Sequence, residues 1–337
     1  VIIASFARNG DQLPILVIGY GVLAGFGLGL AYIVPIAMLQ KWFPDKRGLI
    51  TGLAVGGFGF GAVVTAPIAQ ALVDPEEPTA VFLPLGIAYL VFSVAAAQPG
   101  PGAELTETLT LRGSAGEVEP IEIVDSHGSR LHQFVTDAGS LTVDYEATVT
   151  GRSEPAVIDP LDLITYLRPS RYAESDALFP TARSEFGGIS GRELLAAVSS
   201  WVGSQLSYVS GSSRPTDGAR ETLLDRRGVC RDYSHLCIAL LRALDVPARL
   251  VSAYAPGLQP MDFHAVAEAY IDDEWHAIDA TALAPRQSLL RIATGRDAAD
   301  TAFLTNQWAN VTIDEMVVTA TADELPTDDV RELVTLG

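Results

Sequence analysis

The stretch Gly228-Val-Cys-Arg-Asp-Tyr-Ser-His235 decides how the C-terminal part of this chain is read. A glycine-ended turn runs into Cys230, after which Leu236, Cys237, Leu240, Leu241 and Leu244 recur at helical spacing until Asp245-Val-Pro247 stops the run. The spacing predicts a helix from Cys230 to about Leu244. Cys230 then stands in the first turn, where unpaired N–H groups and the helix dipole favour an anion, so a reactive thiolate is expected there. Cys237 falls two turns along on the buried face and reads as a small core hydrophobe. Seven residues at about 1.5 Å each separate the two by roughly 10 Å, beyond the reach of about 7 Å that a disulfide spans, so both are expected to be free thiols. His235 lies about 500° around the helix from Cys230, which points the two side chains apart and argues against a zinc site in Cys230-x4-His235-x-Cys237.

Downstream, the pattern predicts strands over 249–254, 263–271 and 274–280. In Asp262-Phe-His-Ala-Val-Ala-Glu-Ala-Tyr270, alternation puts His264, Val266 and Glu268 on one face. A two-residue turn at Asp272-Asp273 sets Ile271 opposite Glu274 and position 266 opposite Asp279, which makes His264 and Asp279 diagonal neighbours on a shared face. A carboxylate so placed orients an imidazole. A cysteine at a helix start, followed by a histidine and an aspartate on adjacent strands, is the order of parts in a thiol acyl-transfer triad, here Cys230, His264 and Asp279. The backbone N–H of Cys230 is one candidate oxyanion donor. A second must come from the preceding segment, where Trp201 and Tyr208 read as core packing.

Upstream, Leu194, Val198, Trp201, Val202 and Gln205 recur at helical spacing from Ser190, and a short helix is expected from Asp217 to Arg227, stopped by Gly228. Between residues 104 and about 155 the period falls to two, as in Leu141, Val143, Tyr145, Ala147 and Val149, with a turn at Asp125-Ser-His-Gly128. These predict half-buried strands of a small antiparallel β domain with one face in water. The fold class is α+β.

The first 98 residues are different in kind. They hold four basic and five acidic residues, whereas the remaining 239 hold 18 Arg, no Lys and 36 acidic residues, so nearly all of the net charge of -19 belongs to the second part. Such an excess of acid excludes a nucleic-acid binder working by bulk charge. Only 2 Cys and 5 His are present, which excludes a disulfide-built scaffold and a multi-cysteine zinc module. Uncharged stretches over 12–40, 48–73 and 78–103 each reach the roughly 20 residues that cross a bilayer as helix, predicting three transmembrane helices. Lys41, Lys46 and Arg47 place the first loop in the cytoplasm, and counting forward puts the soluble part on the cytoplasmic side. Glycine runs such as Gly56-Gly-Phe-Gly-Phe-Gly61 lie inside apolar stretches and read as close helix packing, not as a dinucleotide fingerprint. The chain opens on Val and is expected to be a fragment.

Two resemblances follow. Gly228-Val-Cys-Arg-Asp-Tyr-Ser-His235, Leu244-Asp-Val-Pro-Ala-Arg249, Phe263-His-Ala265 and Trp275-His-Ala-Ile-Asp-Ala-Thr281 resemble the bacterial transglutaminase-like superfamily over about residues 104–320. That resemblance implies a papain-like cysteine proteinase core with Cys230 as nucleophile, His264 as general base and acid, and Asp279 as orienting carboxylate. It implies no metal, no cofactor, and a protein or peptide amide as substrate, with hydrolysis or transamidation through a Cys thioester. Val266 departs from the Trp that many relatives carry two residues after the His, which is expected to alter the groove. Lys41-Trp-Phe-Pro-Asp-Lys-Arg-Gly48 resembles the major facilitator superfamily, in its oxalate/formate antiporter-like branch. Three helices cannot supply a substrate site that such carriers build between two six-helix halves, so this resemblance implies ancestry and not transport. The expected organisation is a membrane-helix fragment over 1–98, a linker over 99–103, an antiparallel β domain over 104–165, a catalytic core over 166–320 and a tail over 321–337. The competing reading is a carrier fragment whose soluble part is non-catalytic or an accidental fusion.

Overall fold

The structure, a computed structural model, describes residues 88–336 apart from 137–138, 156–157 and 308–310. The apolar stretches 12–40 and 48–73, the basic loop and the carrier-like motif lie outside the described residues. Among the described residues no helix is long and apolar enough to cross a membrane.

The expected β region is built from β1 (Ala88–Phe92), β2 (Ala103–Gly113), β3 (Gly116–Val118), β4 (Ile121–Val124), β5 (Arg130–Thr136) and β6 (Leu141–Gly151). Alternation along β6 and the first half of β2 gives each one sheltered and one exposed face, and they pair antiparallel from Ala103↔Gly151 to Gly113↔Leu141. A second sheet runs β13-β1-β5-β4, where β13 is Leu304–Gln307 near the far end of the chain. The turn at Asp125-Ser-His-Gly128 forms between β4 and β5, closed by Gly128 N–H donating to the Asp125 carbonyl at 3.2 Å.

The core follows as α1 (Pro160–Thr165), α2 (Ser175–Phe186), α3 (Gly191–Gln205), β7 (Ser207–Tyr208), α4 (Ala219–Asp225), β8 (Arg227–Gly228) and α5 (Cys230–Arg242). Then come β9 (Ala248–Tyr254), β10 (Phe263–Ile271), β11 (Glu274–Ile278) and β12 (Leu290–Gly295), which form an antiparallel sheet in the order β11-β10-β9-β12. Helix α5 is buried along nearly its whole length, with Leu236, Ile238, Leu240 and Leu241 packed among α2, α3, β9 and β10. The C-terminal tail is strapped to this core. Ala277 N–H donates to the Val334 carbonyl at 2.7 Å, and the Arg286 guanidinium holds Asp328.

Two expectations are corrected. The predicted third membrane helix over 78–103 does not form, because Ala88–Phe92 is strand β1, hydrogen-bonded between β5 and β13. Residues 93–97 are coil with protein partners: Ser93 and Ala97 N–H donate to the Phe303 and Arg291 carbonyls, and Ala96 N–H donates to the Tyr145 hydroxyl. Leu90, Val94, Ala95 and Ala96 are buried inside protein, and a buried strand with its flanking coil is as uncharged as a membrane span. Hydropathy alone does not tell the two apart. The expected break at 98, with a linker over 99–103, is therefore interior to the folded part, and β2 already begins at Ala103. The second correction is local. Helix α4 ends at Asp225 through Arg226 in the left-handed conformation, three residues before Gly228. Gly228 serves another need, since a Cβ there would lie 2.7 Å from the Asp232 side chain.

Candidate active site

Cys230 is the first residue of α5, and the carboxylate of Asp232 closes the turn that delivers it. Asp232 Oδ2 accepts from the Val229 N–H at 2.9 Å, and Oδ1 accepts from the Ser213 hydroxyl at 2.8 Å. Arg231 reaches the same Ser213 hydroxyl and the Arg214 carbonyl, so the loop before α4 is tied to the cysteine turn. The Ser234 hydroxyl, one turn along α5, lies 2.9 Å from both the Cys230 and the Ala265 carbonyls. That contact fixes the start of the helix against β10 beside His264.

His264 and Asp279 reach each other by the register expected of the hairpin. Asp272 and Asp273 both take positive φ, Ile271 pairs with Glu274, and Ala267 with Ile278. The diagonal then closes, with His264 Nε2 donating to Asp279 Oδ2 at 2.8 Å while both side chains are almost fully buried. Asp279 Oδ1 is held in turn by the Thr281 backbone N–H at 2.9 Å and its hydroxyl at 2.6 Å. Burial disfavours a charged His264, but the hydrogen bond to Asp279 and the interaction with Cys230 outweigh it and raise its pKa to about 10. Burial likewise opposes ionisation of Asp279, and the bonds from His264 and Thr281 hold its carboxyl below the usual range. With Nε2 engaged by the carboxylate, Nδ1 of His264 has no hydrogen-bond partner among the described residues, and Cys230 is an ionisable neighbour of the ring.

The structure joins His264 to Asp279 and sets Cys230 at the start of α5 as an ionisable neighbour of His264. Cys237 lies in the core, where burial, aided by the Asp279 charge, pushes its thiol far up. His235 turns away from Cys230, stacks on Tyr172 at 5.3 Å between ring centroids, and accepts the Ala298 N–H at Nε2. Burial drives its pKa down to about 3. Among the described residues no three His, Cys, Asp or Glu side chains converge as a metal ion requires. Val266 is fully buried in the cluster with Val251 and Ala253, so it lines no groove. Trp201 packs edge-on against Phe186 and donates to Glu185 at 3.1 Å, away from the cysteine. Tyr208 is not core: it is 44% exposed, it pairs in a short ladder beside the turn that precedes Cys230, and Cys230 is among the neighbours that raise its phenol pKa. The positioning roles of Asp232, Ser234 and Thr281 were not anticipated, although Asp279-Ala-Thr281 carries the spacing of a side chain that accepts a backbone N–H two residues on.

Comparison with known proteins gives two family matches. The model of the transglutaminase-like superfamily matches residues 187–280, and that of the Major Facilitator Superfamily matches residues 1–204. The second match runs past residue 88 into the strands and helices described above. Among solved structures, a candidate cysteine protease from Cytophaga hutchinsonii is 33% identical with a TM-score of 0.61, covering 71% of this chain and 89% of that one. Two carriers are similar at the other end. The oxalate:formate antiporter of Oxalobacter formigenes is 34% identical over 83 residues, 25% of this chain and 20% of its own length. The apicoplast pyruvate carrier 1 of Toxoplasma gondii is 43% identical over 56 residues, 17% of this chain and 10% of its own. The chain therefore spans a fifth or less of either carrier, and its C-terminal part has the papain-like fold of transglutaminase-like cysteine hydrolases and acyltransferases.

Proposed function

Since the chain belongs to the transglutaminase-like superfamily through its C-terminal part and to the major facilitator superfamily through its N-terminal part, we propose that it is a membrane-attached cysteine acyl-transfer enzyme working through Cys230, His264 and Asp279. The observation that carries this reading is the buried His264–Asp279 bond of 2.8 Å, which leaves the other imidazole nitrogen without a partner among the described residues, while a cysteine at a helix start is an ionisable neighbour of the ring. The substrate is a protein or peptide amide. Cys230 Sγ attacks the carbonyl carbon, the C–S bond forms, and the π pair moves onto oxygen. As the tetrahedral species collapses, the C–N bond breaks and the leaving amine takes the proton from His264. His264 then removes a proton from the acceptor, water in hydrolysis or an amine in transamidation, which attacks the thioester and restores the thiolate. Asp279 stays ionised throughout and holds the imidazole in place. Full-length chain in detergent should form an acyl-enzyme with p-nitrophenyl acetate, seen as a burst of nitrophenolate, and Cys230→Ala should show none. A burst that survives Cys230→Ala ends this reading.

The strand β1 also bears on where the chemistry takes place. Counting spans from the basic loop, the cytoplasmic expectation needed a third helix over 78–103, and β1 occupies 88–92 of that stretch. Ten residues before β1 are too few to span. Counting the two remaining apolar stretches of the sequence, we infer that the C-terminal part lies on the face opposite the basic loop. Protease added outside sealed cells should digest it, and full protection would show that it faces the cytoplasm.

A further inference from the structure

We propose that Tyr208 is the second oxyanion donor of the acyl-transfer site, its hydroxyl acting beside the backbone N–H of Cys230. The proposal rests on the cysteine mechanism given above and assigns a residue that sequence reading left as packing. Three observations converge. The parallel ladder of β7 and β8 sets Tyr208 directly opposite Gly228, two residues before Cys230, with Ser207 N–H donating to the Arg226 carbonyl at 2.9 Å and Val209 N–H to the Gly228 carbonyl at 3.0 Å. This fixes the backbone of the tyrosine to the turn that carries the nucleophile. The Tyr208 ring leans on Tyr233 of α5 at 6.0 Å between centroids, which keeps it over the helix start. The side chain remains open to solvent, as a group that must meet substrate has to be.

The ladder to Gly228 and the ring contact with Tyr233 set the tyrosine beside the start of α5, where Cys230 stands. A carbonyl oxygen entering for attack meets the Cys230 N–H, and the hydroxyl turns to donate to the same oxygen. Burial and the neighbouring Cys230 push the phenol up to about 12, so it keeps its proton at neutral pH and has one to donate. Two donors then converge on the oxygen that becomes negative when the C–S bond forms, and neither loses its proton in the step. The other aromatic candidate, Trp201, spends its N–H on Glu185.

The test separates reactions that build an oxyanion from one that does not. Acylation by p-nitrophenyl acetate passes through a tetrahedral oxyanion, whereas alkylation by iodoacetamide displaces iodide at a saturated carbon and builds none. In the full-length chain, Tyr208→Phe should slow the acylation burst by about 10²-fold while alkylation of the same thiol stays within twofold. The melting temperature, followed in parallel, should stay unchanged, since the ring remains on Tyr233. Equal slowing of both reactions would mean that Tyr208 acts on the thiol or the fold, and an unchanged or faster burst would mean that the hydroxyl does not stabilise the oxyanion; each overturns the assignment. Absence of any burst in the unsubstituted protein would instead sink the acyl-transfer reading on which the proposal stands.

Discussion

Replacing Glu268 by Ala should destabilise the folded protein by about 3–5 kcal/mol, the usual cost of removing one partner from a buried ion pair. Glu268 lies on β10, on the same face as His264, with its side chain fully buried between Arg249 and Arg291. Arg249 Nε donates to Oε2 at 2.7 Å, and Arg291 donates to both oxygens at 2.7 and 3.0 Å, so the carboxylate ties β9 and β12 to the strand that carries the histidine. Arg249 also stacks over Trp275, 4.0 Å from the ring centroid. A second route to the magnitude comes from protonation. Burial opposes a charged Glu268, but the two guanidiniums outweigh it and bring its pKa from 4.5 to about 2. At about 1.4 kcal/mol per tenfold, that difference is worth about 3 kcal/mol. The sign follows from the order of titration: the unfolded carboxyl takes its proton near 4.5 and the folded one near 2. The stabilisation is therefore whole above about pH 4.5 and is lost as the pH falls toward 2. Thermal melts at neutral pH should drop by on the order of 10 °C in Glu268→Ala, taking about 2–4 °C per kcal/mol for a domain of this size. Melts repeated down to pH 2.5 should show a shallower acid decline in the variant. A neutral-pH drop under 2 °C, or an acid decline identical in both proteins, would refute the claim that this carboxylate is a buried, strongly coupled ion-pair centre.

Iodoacetamide at neutral pH should modify Cys230 before Cys237, read by peptide mass mapping, because Cys237 is in the core and its thiol is held protonated by burial. His264→Ala should slow that labelling; unchanged kinetics would separate the histidine from the thiol. Because the folded His264 keeps its proton up to about pH 10, its favourable charge interactions are whole below the ordinary histidine value of 6.5 and fade as the pH rises through 10, so labelling should lose its His264-dependent component only on that alkaline limb. Thr281→Val removes a hydroxyl from Asp279 and should lower acylation about tenfold by loosening the carboxylate, with little change in melting temperature. Acidic residues outnumber Arg two to one after residue 98, so the melting temperature should rise between low and molar KCl as salt screens their repulsion. A flat profile would show that the excess charge is already neutralised locally.

The C-terminal half was legible because its signals are local. Helix α5 announces itself by apolar spacing that ends at Asp245-Val-Pro247, and the His264 to Asp279 diagonal follows once Asp272-Asp273 is read as a two-residue turn, since period-two geometry leaves no freedom in the register. What stayed hidden depends on partners far away in sequence. Helix α2 carries Pro180 in its first half and only a weak apolar stripe, so nothing local predicted it. Strand β1 was mistaken for membrane because its partners, β5 and β13, are not neighbours in the chain. For that reason a fragment starting near Gly102, attractive from composition alone, would lose an inner strand of the β13-β1-β5-β4 sheet along with Leu90 and Phe92 from the cluster around Phe134. Tyr208 was hidden for a related reason: only the short ladder with Arg227 and Gly228 brings it to the cysteine.

The pairing of β1 with β13 also sets a schedule for synthesis. Tyr89 is hydrogen-bonded next to Gln307, so the first strand of the folded part waits for nearly the last, and loop closure over such a distance is slow. While the ribosome is still making the catalytic core, β1 has only β5 to lie against, and its other edge is open to any strand nearby. A message truncated after the codon for Gly295 but before that for Leu304 therefore yields a chain whose candidate-site elements are complete but whose β13-β1-β5-β4 sheet is unclosed, and such products should appear in aggregates in place of folded protein.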